Sequence, residues 1–409
     1  MSAEASARGG AGRDVAAVRA AYSRFLSAGS PGRILLTGHS HQAWPDVVRD
    51  ALLAFFDDSA RLVDDKWSEA VFPRADRVGR AILARMGFDG GDDIAFGRST
   101  HELVGRLLSC LPLPAGAGSA RPRVVTTTGE FHSLHRQLSR LGEDRLEVVW
   151  VPAEPRAGLA DRLLEALAPG TAMLAVSAVL FEDAFILPRL GAVLARAVEL
   201  GAIALVDAYH AFNVAPVDWG PAAAQLFVTA GSYKYAGFGE GLCWLRIPAD
   251  CRLRPADTGW FADFDSLALP RGGEVRYGAG GARFAGSTFD ASSLYRAEAA
   301  LAHWDGFGLG PAELRAVSTA QTRRIIGCLD AAGVGGSLVS SRDDALRAGF
   351  VSVRAADAAG IVERLRTRGV RVDSRRDLLR IGPAPYLTDD EIDRGVSAVA
   401  EELARSKAG

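Results

Sequence analysis

Residues 202–235, AIALVDAYHAFNVAPVDWGPAAAQLFVTAGSYKY, hold two short apolar runs with charged groups just beyond each. Ile203–Val206 and Leu226–Ala230 are β-branched enough, and flanked closely enough by turn-forming residues, to read as buried strands. The first run ends on Asp207, with His210 three residues later, and the second leads into Ser232-Tyr233-Lys234-Tyr235. Ligands of open α/β sheets sit beyond the carboxyl ends of the strands. An acid just past one strand and a lysine just past the next can therefore face one crevice.

The surrounding chain repeats a strand–loop–helix rhythm. Strands are expected at Asp93–Phe96, Arg123–Thr127, Leu146–Val151, Met173–Val176 and Leu242–Ile247, with helices at His101–Leu111, Leu159–Leu167 and Leu190–Leu200. Such alternation predicts an α/β domain around a mostly parallel sheet. Upstream, Val15–Leu26 and Asp46–Phe56 have helical periodicity, a further helix runs toward Met86, and RILLT reads as a strand. After a helix at Leu294–Trp304, long amphipathic stretches (Ala312–Ala332, Asp357–Arg366) alternate with strands such as Phe350–Val353, which suggests a smaller α+β domain. The expected division is an N-terminal extension and helix (1–32), a large domain (33–290) and a small C-terminal domain (291–409). The GFGEG after Lys234 precedes a strand instead of opening a helix, so it is no dinucleotide fingerprint. Its glycines allow close approach of a ligand.

Composition narrows the class. At 409 residues, 48% hydrophobic and 23% charged with a net charge of −2, the chain has ample core and no basic excess that would favour nucleic acid. No apolar stretch approaches the roughly 20 residues of a membrane span. The first dozen residues are rich in Ala, Gly and Ser and read as disordered, with no apolar segment of a secretory signal. Cys110, Cys243, Cys251 and Cys328 have no metal-type spacing and read as free thiols of a reducing cytoplasm. His39 and His41 lack a nearby Cys or carboxylate to complete a metal set, and no metal is expected.

A lysine that can form an imine, opposite an acid that can keep a pyridine nitrogen protonated, suits pyridoxal 5'-phosphate (PLP). Ser99 and Glu102 form an S-x-x-E capping box, and the amides and hydroxyls of Ser99 and Thr100 also make a ready anion site. Capping and phosphate binding both stand as readings.

D-x-x-H followed by S-Y-K-Y resembles the fold-type I PLP enzymes of the class V aminotransferase group, and most of all kynureninases. The resemblance runs from about residue 33 to 395, and the form L-R-I-G-P-A-P-Y at residues 379–386 belongs to it. It implies Lys234 as the cofactor lysine, Asp207 on the ring nitrogen, His210 tuning the cofactor and Tyr233 helping to protonate the departing fragment. It further implies Phe131 over the ring, Ser99, Thr100 and Tyr233 on the phosphate, and Ser177 beside the cofactor. Trp260, Ser287 and Thr288 would reach across a homodimer to the neighbour's site. Arg380 would clamp the substrate α-carboxylate, with Ser40 and His39 lining the substrate side. Two positions depart from the family pattern. Leu134 stands where kynureninases tend to carry an aspartate, and Glu182-Asp183 replaces a Thr-Gly pair and is expected to face water.

The activity implied is kynureninase-like cleavage of an L-α-amino acid: Cβ–Cγ hydrolysis that releases alanine. Alternatives are β-elimination from a cysteine conjugate (a C–S lyase), class V transamination, or a binding module that has lost catalysis. Residues 333–360 hold no cysteine, which disfavours a cysteine desulfurase. No G-x-S-x-G elbow precedes a helix, which disfavours a serine hydrolase.

Overall fold

The computed structural model describes residues 14–28, 32–88, 91–112, 120–270 and 272–408. The first dozen residues, read as disordered, lie outside them. In chain order the strands are β1 (Ile34–Leu35), β2 (Asp93–Gly97), β3 (Arg123–Thr127), β4 (Glu147–Val151), β5 (Thr171–Ser177), β6 (Ile203–Asp207), β7 (Phe227–Gly231), β8 (Cys243–Ile247), β9 (Val351–Arg354), β10 (Val370–Arg371), β11 (Asp373–Arg375) and β12 (Leu378–Ile381). The α-helices are α1 (Val15–Ala20), α2 (Ser23–Ser27), α3 (Val47–Leu62), α4 (Phe72–Met86), α5 (Thr100–Leu108), α6 (His132–Asp144), α7 (Leu159–Ala166), α8 (Leu190–Glu199), α9 (Ser292–Gly306), α10 (Pro311–Ala331), α11 (Ala358–Thr367) and α12 (Asp389–Ala408).

Seven strands form the main sheet in the order β2-β8-β7-β6-β5-β3-β4. Only β8 runs against the rest, pairing antiparallel with both β2 and β7. The strands are apolar along their length because helices cover both faces. Leu174, Val176, Ala204, Val206 and Val228 point into one core, and the intervening Met173, Ala175, Leu205 and Phe227 into the other. Side chains that alternate at period two thus build two cores from one sheet. The mostly parallel sheet and the smaller α+β unit expected from sequence are both present. That unit has β9, β11 and β12 in an antiparallel sheet ordered β11-β12-β9, covered by α10, α11 and α12.

The cores divide the chain differently from the expected boundaries. Ile34, Leu35 and Leu36 sit in the small-domain core, because β1 pairs in parallel with β10. The start of the large domain at residue 33 is thereby corrected: its first segment packs on the C-terminal unit. Conversely, Leu294, Tyr295, Ala297 and Ala300 of α9 are buried in the large core, with α9 against α3 and α4, so the 290/291 boundary falls too early. The single helix read at Val15–Leu26 is two, α1 and α2, with Tyr22 between them. Tyr22 is fully buried, its ring 4.6 Å from that of Tyr386 and 5.3 Å from that of His303. These contacts across the chain set the break, and local periodicity carries no sign of them.

Candidate active site

The parallel strands β5, β6 and β7 end side by side, with Ser177 in register with Asp207. Lys234 lies three residues beyond the end of β7, in a turn that is 5% exposed at the lysine. Its Nζ is 3.1 Å from His210 Nε2, and 4.3, 5.3 and 5.7 Å from the ring centroids of Tyr209, Phe131 and Tyr233. Burial lowers the Lys234 amine to about 7; Asp207 opposes that shift, and the Arg380 and Arg375 cations add to it. An appreciable fraction is therefore the neutral, nucleophilic amine at neutral pH. Burial, with the Lys234 and Arg380 charges, likewise holds His210 well below its ordinary range, so its imidazole is neutral.

Asp207 ends β6. Its Oδ1 accepts the Tyr209 N–H at 2.8 Å, and burial raises its carboxyl against that bond and the Lys234 charge. A small cavity in front of it is lined by Thr100, Val104, Phe131, Leu134, Val176 and Asp207. Thr100 opens α5 and Ser99 caps it, accepting the Glu102 N–H at 3.2 Å, while Glu102 Oε2 accepts the Arg98 N–H at 3.1 Å. The Ser99 half of the capping box is thus present, while Glu102 reaches past the cap to Arg98, and the positive end of α5 still points toward the cavity that Thr100 lines. Leu134 gives this cavity an apolar wall.

Tyr209 is not among the residues singled out from sequence, yet of the three six-membered rings around Lys234 it lies nearest. An aromatic two residues past a strand end reads as core, and the better signal was its neighbour Gly231. A methyl group on Gly231 would overlap the Tyr209 hydroxyl and Cys243 Sγ.

Arg380 is buried on β12 beside the same crevice. Its Nε donates to Asp373 Oδ1 at 2.9 Å, its Nη2 to Asp373 Oδ2, and its Nη1 to the Phe181 carbonyl at 2.6 Å. His39 Nε2 lies 2.9 Å from the same Asp373 Oδ1. Burial first, with the Arg380 charge, lowers His39 to about 4, whereas the His39 and Arg380 partners hold Asp373 far below the usual carboxylate range. His39 is then a neutral Nε2–H donor to an ionised Asp373. It acts on Arg380 through that carboxylate, which differs from the direct substrate contact expected of it. Ser40 turns back on its own turn, donating to the Thr37 carbonyl at 3.4 Å.

Gly382 makes this arrangement possible, because a methyl group there would overlap His39 Nδ1. Gly382→Ala is therefore expected to displace His39 from Asp373, lowering the melting temperature and raising the substrate KM more than it lowers kcat. An unchanged KM would exclude the coupling.

Several expected roles fall elsewhere. The Ser177 hydroxyl donates to Glu130 Oε2 at 2.6 Å, so its proton is directed away from the cofactor cavity. Glu182 and Asp183 do not face water: Asp183 accepts Arg156 Nε at 2.8 Å and the Phe185 N–H at 3.2 Å, and Glu182 pairs with Arg376. The carbonyls of this loop take Ser352 Oγ at 2.6 Å and Ser340 Oγ at 2.7 Å, which ties the large domain to the small one. Trp260 (45% exposed), Ser287 and Thr288, expected to reach a neighbouring subunit's site, lie at the surface. No group of three or more His, Cys, Asp or Glu suited to a metal occurs among the described residues.

Comparison with known proteins agrees with this geometry. Residues 314–399 match the model of the kynureninase C-terminal domain. A kynureninase from Pseudomonas fluorescens is 27% identical over 347 residues, covering 81% of this chain and 79% of that protein. Among solved structures, a C-DES mutant with glycine covalently linked to its PLP cofactor superposes with a TM-score of 0.76 at 16% identity, covering 92% of this chain and 99% of that one. The cysteine desulfurase CsdA from Escherichia coli gives a TM-score of 0.74 at 16% identity, covering 95% and 99%. The structural matches carry the fold, and the sequence matches a likeness to kynureninases. In sequence this chain is similar to kynureninases, and in fold to PLP-dependent enzymes such as C-DES.

Proposed function

We propose that this chain is a PLP-dependent hydrolase that cleaves the Cβ–Cγ bond of an L-α-amino acid bearing a γ-carbonyl and an aromatic side chain. Water adds to the carbonyl carbon, the Cβ–Cγ bond breaks, and the products are an aromatic acid and alanine. The observation that carries the reading is Lys234, a buried amine lowered to about 7 inside a cage of Tyr209, Phe131 and Tyr233. A lysine kept out of solvent and partly neutral, with no fixed ion-pair partner among the described residues, fits covalent capture of an aldehyde.

PLP supplies that aldehyde and a ring that, once protonated, draws electrons from the substrate. Lys234 would hold it, Asp207 would face its ring nitrogen, Phe131 would cover the ring, and Ser99, Thr100 and Tyr233 would receive its phosphate. Lys234 Nζ takes the substrate α-proton, and the neutral His210 imidazole 3.1 Å away orients that amine. Tyr233, whose phenol is raised by burial first and then by Cys243 and Asp207, keeps its proton near neutral pH and donates it to the departing fragment. Arg380 meets the α-carboxylate with the N–H groups that Asp373 and Phe181 leave free.

Phe181 and Phe131 stand edge to face at 5.4 Å and 89°, with His132 5.3 Å from Phe181. This aromatic wall, joined to Arg380 through the Phe181 carbonyl, favours an aryl side chain. The surface positions of Trp260, Ser287 and Thr288 are consistent with a homodimer in which each subunit completes the other's phosphate site. Among the described residues, no helix is long and apolar enough to cross a membrane.

The test is incubation with kynurenine, cysteine conjugates and common amino acids, with products identified by mass. Alanine with an aromatic acid is expected. Pyruvate with a thiol would mean a C–S lyase, and a keto acid with aminated cofactor a transaminase.

A further inference from the structure

Glu130 has no part in the chemistry above, yet it is buried among the strand ends. It directly precedes Phe131 and is 3% exposed. Thr127 Oγ1 donates to its Oε1 at 2.6 Å and Ser177 Oγ to its Oε2 at 2.6 Å. Thr127 is itself fixed by the Gly129 N–H at 3.1 Å. Ser177 is the register partner of Asp207 across β5 and β6, so the two side chains leave the sheet on one face, side by side. Ser177 thus neighbours both carboxyl groups, Glu130 through a hydrogen bond and Asp207 through strand register. Around Glu130, β3 contributes Thr127, β5 contributes Ser177 and β6 contributes Asp207. Of the groups acting on it, only Asp207 is charged, and it is a like charge. Burial raises the Glu130 carboxyl to about 7, against the two hydroxyl donors and with the Asp207 charge adding to the rise.

We propose that Glu130 is a positioning residue that sets the proton affinity of Asp207, and through it that of the cofactor ring nitrogen, by way of the Ser177 hydroxyl. With Glu130 ionised, the Ser177 proton is committed to it and Asp207 stands beside a second negative charge. When Glu130 takes a proton from solvent, its own O–H donates to Ser177 Oγ. The Ser177 hydroxyl can then turn to Asp207, whose added bond favours the ionised carboxylate. One proton enters, no electrons move, one hydrogen bond reverses and one forms. The proposal rests on PLP binding at Lys234 and Asp207.

The experiment uses the holoenzyme and Glu130→Gln, which preserves size and hydrogen-bonding atoms but cannot ionise. Absorbance of the bound cofactor is followed across neutral pH. The wild-type transition is expected to shift in Glu130→Gln by about 0.5 pH unit or more, with cofactor still bound. Superimposable titrations would overturn the proposal, even if the variant melted earlier, because a purely structural carboxyl leaves the transition in place. If neither protein shows a near-visible band, it is the PLP reading that fails. A second arm then decides the Glu130 part alone, in cofactor-free protein. A carboxyl raised to about 7 from 4.5 binds its proton more tightly in the native state, so wild-type stability falls as pH rises through that window. The melting temperature of Glu130→Gln is expected to gain on wild type over that range and then level off. Parallel melting curves at all pH values would remove the titrating group and the proposal with it.

Discussion

Lys234→Met is expected to lower turnover by about 10³-fold or more while making the cofactor-free protein more stable at neutral pH. The loss follows from removing the amine proposed to capture the aldehyde and move the α-proton, and the near-visible absorption of the bound cofactor should disappear with it. The gain follows from linkage. The unfolded chain titrates this amine near 10.5 and the folded one near 7, so between those values the unfolded state holds the extra proton. Wild-type stability is therefore complete above 10.5 and declines as pH falls toward 7. At about 1.4 kcal/mol per unit, the penalty near neutrality is on the order of a few kcal/mol. Methionine fills the same space without the charge and escapes it. Denaturant melts of both apoproteins, at neutral pH and above pH 10.5, measure the effect. A stability difference independent of pH would mean that the amine is not held dry, and the site reading would fail with it.

This trade is also why the centre of the site is legible in sequence. Strand ends, and the charged residues just past them, are local features. Apolar runs buried on both faces announced β6 and β7, so Asp207, His210 and Lys234 could be proposed together from a window of 34 residues. The Ser99–Glu102 cap is equally local and forms as expected. What escaped notice depends on partners far along the chain. Asp373 matters because His39, 334 residues away, and Arg380 converge on it. Glu130 matters because β5 carries Ser177 to it from 47 residues away. The pairing of β1 with β10 moves residues 34–36 into the other core, and no periodicity within RILLT could announce that. Glu182 and Asp183 read as solvated because acids in loops usually are. Here Arg156 and Arg376 bind them, and the loop becomes a seam between the domains.

The same seam gives the second large effect. Asp373→Ala is expected to destabilise the protein by about 3–5 kcal/mol, because Arg380 would be left as a buried cation held chiefly by the Phe181 carbonyl. Removing both charges costs less than removing one, since an uncompensated ion is worse than an apolar pair of similar volume. The double variant Asp373→Ala/Arg380→Met should therefore recover part of the loss, and a double-mutant cycle between the two sites reads the coupling directly. Function separates the two partners. Arg380→Met removes the proposed carboxylate contact, worth about 1.5–3 kcal/mol for a charged hydrogen bond, or roughly 10- to 150-fold in kcat/KM. In Asp373→Asn the guanidinium remains but is no longer neutralised or held square to the crevice. KM should then rise by a smaller factor, and the pH dependence of stability below neutrality should change. His39 titrates at about 4 in the fold against 6.5 unfolded, so the wild type loses stability as pH falls through that interval. With asparagine at 373, the carboxylate that raises His39 is gone and its proton affinity drops further. The acid-side loss then extends to lower pH. Additive single and double effects, with an acid limb unmoved, would show that Arg380 and Asp373 act independently, and the clamp would have to be sought elsewhere in the crevice.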